Sequence, residues 1–176
     1  MANSYFKPIN YYIENKFVCN KNYKDNYSNV KRIVVVGDIH GDFNILITCL
    51  KKAKVINDRR EWIGRDTHVV QLGDILDKGG RGIQSSAQSM EEFSIFEFLN
   101  YLDSEAEKHG GKVHYLIGNH EIMNIQGDFR YVHKKHLNHT GNKIRRHLFE
   151  PGGYMAKLLT CHSYGILKIN KWYFCH

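Results

Sequence analysis

The sequence predicts an α/β domain built on a largely parallel sheet. Three observations carry that reading. Short apolar, β-branched runs start near Ile33, His68 and Lys112, and each closes on a glycine, Gly37, Gly73 or Gly118. Segments with apolar residues at helical spacing separate the runs. Each of those glycines is followed by a carboxylate or an amide, at Asp38, Asp74 and Asn119. In open α/β sheets, sites gather on the loops beyond the carboxyl ends of the strands.

The elements follow in chain order. The first thirty residues are irregular and aromatic (Tyr5, Phe6, Tyr11, Tyr12 and Phe17) and read as an arm packed on the domain. Ile33 to Val36 is expected to be a buried strand. Asp42 can cap a helix that carries Phe43, Leu46, Ile47, Leu50 and Ala53. His68 to Leu72 is the second strand. Residues 79–89, rich in Gly, Ser and Gln, read as a loop. Ser89 and Glu92 stand at capping-box spacing, and Phe93, Phe96, Leu99 and Leu102 mark a long amphipathic helix that stops at Gly110 and Gly111. Lys112 to Ile117 is the third strand. Between Gly141 and Thr160 the spacing predicts a helix broken at Pro151, Gly152 and Gly153. Ile166–Ile169 and Trp172–Cys175 read as a hairpin turning at Asn170 and Lys171.

A chain of 176 residues suits one domain with its own core. The formal charge of +7 suits nucleic acid, acidic membranes or phosphorylated substrates, but it selects none of them. The lysines are spread along the chain, as on a solvated surface. No apolar run reaches the length of a membrane span, and no secretory h-region opens the chain. A soluble, cytoplasmic protein is expected. Cys19, Cys49, Cys161 and Cys175 form no C-x-x-C pair and are expected to be small buried hydrophobes in a reducing compartment. His133, His136 and His139 read as an exposed basic face.

The residues that carry chemistry follow the strands. Asp38 and His40 alternate along one loop, so both can face one ion. Asp74 offers a carboxylate able to bridge two cations, Asn119 an amide oxygen and His176 an imidazole. Such a mixed oxygen and nitrogen set suits Mn, Fe or Zn rather than calcium.

Taken in order, Gly37-Asp38-Ile39-His40-Gly41, Gly73-Asp74-Ile75-Leu76-Asp77 and Gly118-Asn119-His120-Glu121 resemble the blocks of the calcineurin-like metallophosphoesterases. The run from Gly118 to Val132 is similar to the Shewanella-like branch of the phosphoprotein phosphatases, as are Pro151-Gly152-Gly153, Ala156-Lys157 and the Lys168-Ile169-Asn170 hairpin. The resemblance implies an αββα sandwich, truncated here after its first half, with residues 1–29 as an arm and 30–176 as the incomplete metallophosphoesterase domain.

It also implies roles. Asp38 and His40 would hold one metal, Asn119 and His176 the other, and Asp74 both. His120 would be the general acid and Asp77 its orienting partner. Asn119, Lys78 and Arg81 would contact the substrate phosphate, with Lys78 standing where relatives have Arg. The implied reaction is hydrolysis of phosphomonoesters on a phosphoprotein or phosphopeptide, using a hydroxide shared by two cations. Dinucleoside tetraphosphate hydrolysis, or another phosphodiesterase reaction at the same centre, is the enzymatic alternative. A truncated relic acting as a binding module is the other alternative. Nucleic-acid binding has only the charge in its favour. A truncated edge would promote self-association, and the chain alone would be impaired, with at most one tight metal site.

Overall fold

The structure, a computed structural model, describes residues 7–19, 24–79 and 91–176. Its element order is α1 (Ile9–Glu14), β1 (Asn26–Tyr27), β2 (Ile33–Val36), α2 (Phe43–Lys52), β3 (His68–Gln71), α3 (Glu91–Glu107), β4 (Lys112–Leu116), α4 (Asn119–Gln126), α5 (Lys134–Phe149), α6 (Tyr154–His162), β5 (Ser163–Tyr164), β6 (Ile166–Ile169) and β7 (Trp172–Cys175).

The three expected strands form, and they pair in parallel. A four-stranded sheet runs β2-β3-β4-β5, with Ile33 opposite His68 and Val70 opposite His114. A smaller sheet runs β1-β6-β7, in which β6 and β7 are the expected antiparallel hairpin. Asn170 turns that hairpin with a left-handed φ of 56°, a conformation asparagine tolerates better than most residues. The residues of β2 are less buried than expected: β2 is an edge strand, and Val35 is 48% exposed.

Alternation along the strands builds two layers of core. Val69, Val113 and Tyr115 face the helices, in one cluster with Leu46, Leu50, Phe96, Leu99 and Leu159. Val70 and Leu116 point the other way and meet Tyr164, Leu167 and Ile169, with Tyr27 and Phe174 packed alongside. The two sheets are therefore stacked face to face, with helices over the four-stranded one. This is the α/β layering expected from the sequence.

Asp42 caps α2, accepting from the Ile45 amide at 3.0 Å. Ile95 and Phe98 are as buried as Phe93 and Phe96, so α3 is apolar around more of its circumference than the spacing suggested. The break in the last helical region comes twice. Gly141, at φ 67°, interrupts α5, and the Pro151 turn separates α5 from α6. Ser89 and most of the 79–89 loop lie outside the described residues.

Two expectations are overturned. Cys19 and Cys161 form a disulfide, with Cα atoms 5.7 Å apart. Cys175 is exposed and Cys49 half-buried, so only Cys161 is buried as expected. A separation of 142 residues leaves no local spacing from which to read that pair. His136 is fully buried, 3.4 Å from Glu92, rather than on an exposed face. His133 is half-buried, and the side chain of His139 lies outside the described residues.

The disulfide pins the segment after α1 to α6, while Tyr12 of α1 is buried edge-on against Phe93 and Tyr154. Closing so long a loop restricts the unfolded chain strongly. Cys19→Ser should therefore lower the unfolding free energy by about 2–5 kcal/mol in a denaturant titration without reductant. An unchanged midpoint would mean that the bridge does not form in solution.

Candidate metal centre

The three strand-end loops and the end of β7 converge at one edge of the sandwich. Two groups of donor atoms meet there, each within 4.8 Å: His40, Asp74 and His120, and Asp38, Asp74 and His176. Asp74 belongs to both.

The backbone is bent to bring these side chains together. His40, Asp74 and Asp77 all have left-handed φ angles, of 42°, 52° and 65°. Non-glycine residues rarely adopt this region, and such strain persists only where the surroundings enforce it. Gly73 has φ 98°, and a Cβ there would come within 2.8 Å of the Gly118 nitrogen. A Cβ at Gly118 would in turn collide with Asp74. The two glycines thus let the second and third loops touch, whereas a Cβ at Gly37, after the first strand, would meet open space.

A buried carboxylate locks that contact. One oxygen of Glu121 accepts from the Ile75 and Leu76 amides, at 2.9 Å each. The other accepts from Asp74 at 2.9 Å and Gly118 at 2.8 Å. Burial pushes the Glu121 carboxyl up, and the backbone donors oppose that shift.

The imidazoles are set by what their Nδ1 atoms face. His176 Nδ1 lies 2.8 Å from the Leu72 carbonyl, and His40 Nδ1 lies 3.2 Å from the Leu76 carbonyl. A carbonyl only accepts, so each Nδ1 carries a proton, and in the neutral ring Nε2 is left to present a lone pair. His176 Nε2 then faces two further acceptors, Asn119 Oδ1 at 2.9 Å and Asp74 Oδ1 at 3.5 Å. Lone pairs converging without a shared proton repel one another, and a cation between them removes the conflict. The residues present therefore fit divalent metals.

His120 differs from these. Its Nδ1 is 3.0 Å from Asp77 Oδ2, a fully buried carboxylate. Its Nε2 is 3.9 Å from Asp74 Oδ2, and its ring stands edge-on to His40 at 4.8 Å. The backbone amide of His120 also donates to Asp74 Oδ1 at 3.0 Å. Burial, followed by the charge of Glu92, pushes the Asp77 carboxyl above its ordinary range; Asn124, Arg145 and His120 pull it back.

The three residues expected to contact phosphate fare differently. Lys78 is buried, with its ammonium 3.7 Å from Asp42, the cap of α2. Arg81 lies outside the described residues. Asn119 is exposed at the site, and Asp38 is half-exposed there.

Sequence reading missed much of the support. Glu92, read as a helix cap, instead accepts from the Asp77 amide at 3.1 Å. Asn124 donates to both oxygens of Asp77 at 3.0 Å. Arg145 is fully buried behind them. One signal was available, because Arg145 shares a helical face with Leu148 and Phe149, which marks it as inward-facing.

Comparison with known proteins agrees with this geometry. The sequence model for the calcineurin-like phosphoesterases matches residues 31–176. The chain is 48% identical to Shewanella-like protein phosphatase 2 of Arabidopsis thaliana over 107 residues, 61% of this chain and 25% of that protein. It is 34% identical to Shewanella-like protein phosphatase 1 of Plasmodium berghei (strain Anka) over 162 residues, 88% of this chain and 41% of the relative. Among solved structures, the cold-active protein-tyrosine phosphatase of a psychrophile Shewanella sp. superposes with a TM-score of 0.70. That match has 32% sequence identity and covers 88% of this chain and 44% of the other. The chain thus spans less than half the length of each of these relatives.

Because Asp74 serves both donor groups, Asp74→Asn should reduce bound metal by at least about tenfold while leaving the circular dichroism spectrum unchanged. Elemental analysis of the purified variant reads this directly. Normal metal content would remove Asp74 from the site.

Proposed function

The chain belongs to the calcineurin-like phosphoesterase family, and on that premise we propose that it provides the metal centre of a phosphatase acting on phosphomonoesters of proteins. One observation carries the reading: Asp74 is shared by two donor groups, beside a histidine oriented by its own buried carboxylate. The mixed carboxylate, amide and imidazole set suits Mn, Fe or Zn. Two such cations, when bound, supply an activated water and a clamp on the phosphate oxygens.

The residues of the chain do the rest. Asp38 and His40, 4.0 Å apart, would hold one position and Asn119 and His176 the other, with Asp74 shared, although by proximity the donors group as His40 with His120 and Asp38 with His176. His120 is assigned as the general acid, which needs a proton on Nε2. Asp77 faces Nδ1 at 3.0 Å and fixes the orientation of the ring. The ring then aims Nε2 at the leaving oxygen and delivers the proton as the ester bond breaks. Asn119 also borders the phosphate, whereas Lys78 would reach it only by leaving Asp42.

The relatives' names support a phosphoprotein substrate, and the Shewanella enzyme's name makes a phosphotyrosine peptide the first one to assay. We read residues 30–176 as the catalytic unit and 1–29 as an arm fastened to it. No helix among the described residues is long and apolar enough to cross a membrane. The Cys19–Cys161 disulfide favours an oxidising compartment over the expected cytoplasm.

The acid and ligand roles of His120 separate experimentally. With Mn present, His120→Asn should lower kcat on a phosphotyrosine peptide by roughly 10²–10⁴. Metal content should hold, and a substrate with a very good leaving group should recover much of the rate. Loss of metal from the variant would make His120 a ligand instead. Absence of Mn-dependent hydrolysis by an unmodified chain that holds two metals would refute the proposed activity.

A further inference from the structure

Behind Asp77 lies a buried ionic network that the assigned roles do not use. Arg145, on the segment of α5 after the Gly141 break, is fully buried. All three of its nitrogens are engaged: Nε donates to Asn124 Oδ1 at 2.7 Å, Nη1 to Glu92 Oε1 at 2.5 Å, and Nη2 to Asp77 Oδ1 at 3.3 Å. Its guanidinium also sits 5.3–5.8 Å from the ring centres of Phe93, Phe129 and Phe149.

Asp77 and Glu92 are two carboxylates buried side by side, and the Asp77 amide donates to Glu92. Like charges this close cannot both stay ionised in an apolar setting without a shared counter-charge. Arg145 is the counter-charge they share, its planar fork reaching both groups at once, while His136 stands 3.4 Å from Glu92 alone. It also fixes Asn124: with Oδ1 taken by Arg145, the Nδ2 group points to Asp77 and to the His120 carbonyl at 2.9 Å. Every described contact that holds Asp77 in place thus passes through Arg145 or a residue that Arg145 holds, apart from the His120 bond itself.

We propose that Arg145 is a positioning residue for proton donation: through Asp77, Asn124 and Glu92 it sets the orientation of the His120 ring and the contact of its Nδ1 with Asp77. The catalytic consequence rests on the function proposed above, whereas the structural one does not. If Arg145 only filled the core, its loss would slow all substrates alike. If it positions the acid, its loss costs most where the leaving group needs a proton.

The test uses the full chain as wild type, Arg145→Met and Arg145→Lys. Lysine keeps the charge but not the fork, and it is the variant to use should the methionine form fail to fold. In 15N-histidine-labelled, zinc-loaded protein, the hydrogen-bonded Nδ1 proton of His120, identified by its absence in His120→Asn, should be visible in wild type. It should be lost to solvent exchange in both variants. With Mn, kcat on phenyl phosphate should fall at least about tenfold and on 2,4-dinitrophenyl phosphate by no more than about twofold, with KM and metal content held. A folded variant that keeps the Nδ1 proton overturns the proposal, whatever its rate. A wild type without turnover would sink the phosphatase reading, and the proton signal would still decide the role of Arg145.

Discussion

The Glu121 carboxylate is the constraint on which the centre depends. Its two oxygens take four backbone amides, three from residues 74–76 and one from Gly118. Those residues belong to loops that leave neighbouring strands, and both loops carry metal donors. Without an acceptor these amides would be buried and unpaired, each a substantial penalty. With it, the left-handed turn at Asp74 is held in place, and the Asp74 side chain projects between the donors of both groups. Gly73 and Gly118 provide the clearance and Glu121 the attraction.

A second buried carboxylate works in the same manner one layer further in. Asp77 faces His120 and is enclosed by Asn124, Glu92 and Arg145. Burial raises its pKa, while on Glu92 the opposing pull of Arg145 and His136 outweighs burial and lowers it. The two acids are therefore treated differently by one guanidinium. Removing a partner from such a cluster is far costlier than the cluster's net worth, because a charge is left stranded. The arrangement makes better sense as a device for orientation than as a source of stability.

What was legible in the sequence is what local physics controls. The strands showed because β-branched runs ended in glycine, and the donors because they follow those glycines directly. The hairpin and the Asp42 cap were short-range patterns of the same kind. The missed features are long-range. Arg145 and Asp77 are 68 positions apart, and the bridge between Cys19 and Cys161 spans 142. No spacing rule reaches that far. β1 and β5 have two residues each, too few for an alternation to register. Helix α4 was hidden by its own motif, since the block Gly118-Asn119-His120-Glu121 read as a ligand loop and is in fact the start of a helix. Glu121 was in plain view inside that block. Its role appears only when the preceding strand's loop is folded against it.

Charge arithmetic shows why the centre does not need Lys78. In the proposed centre two divalent cations would bring four positive charges, against which Asp38 and Asp74 would set two negative ones and a shared hydroxide a third. His40 and His176 would ligate as neutral rings, and Asn119 carries no charge. A positive surplus would remain to attract a phosphomonoester dianion. In a site holding metals, the ions themselves are the largest local charges and dominate attraction of the anion. A buried ammonium 3.7 Å from Asp42 can therefore serve the N-terminus of α2 instead of the substrate. Asp77 stands 3.0 Å from Nδ1 of His120 and has the Arg145 guanidinium behind it, so the carboxylate that orients the ring is itself held from the side away from the metal donors.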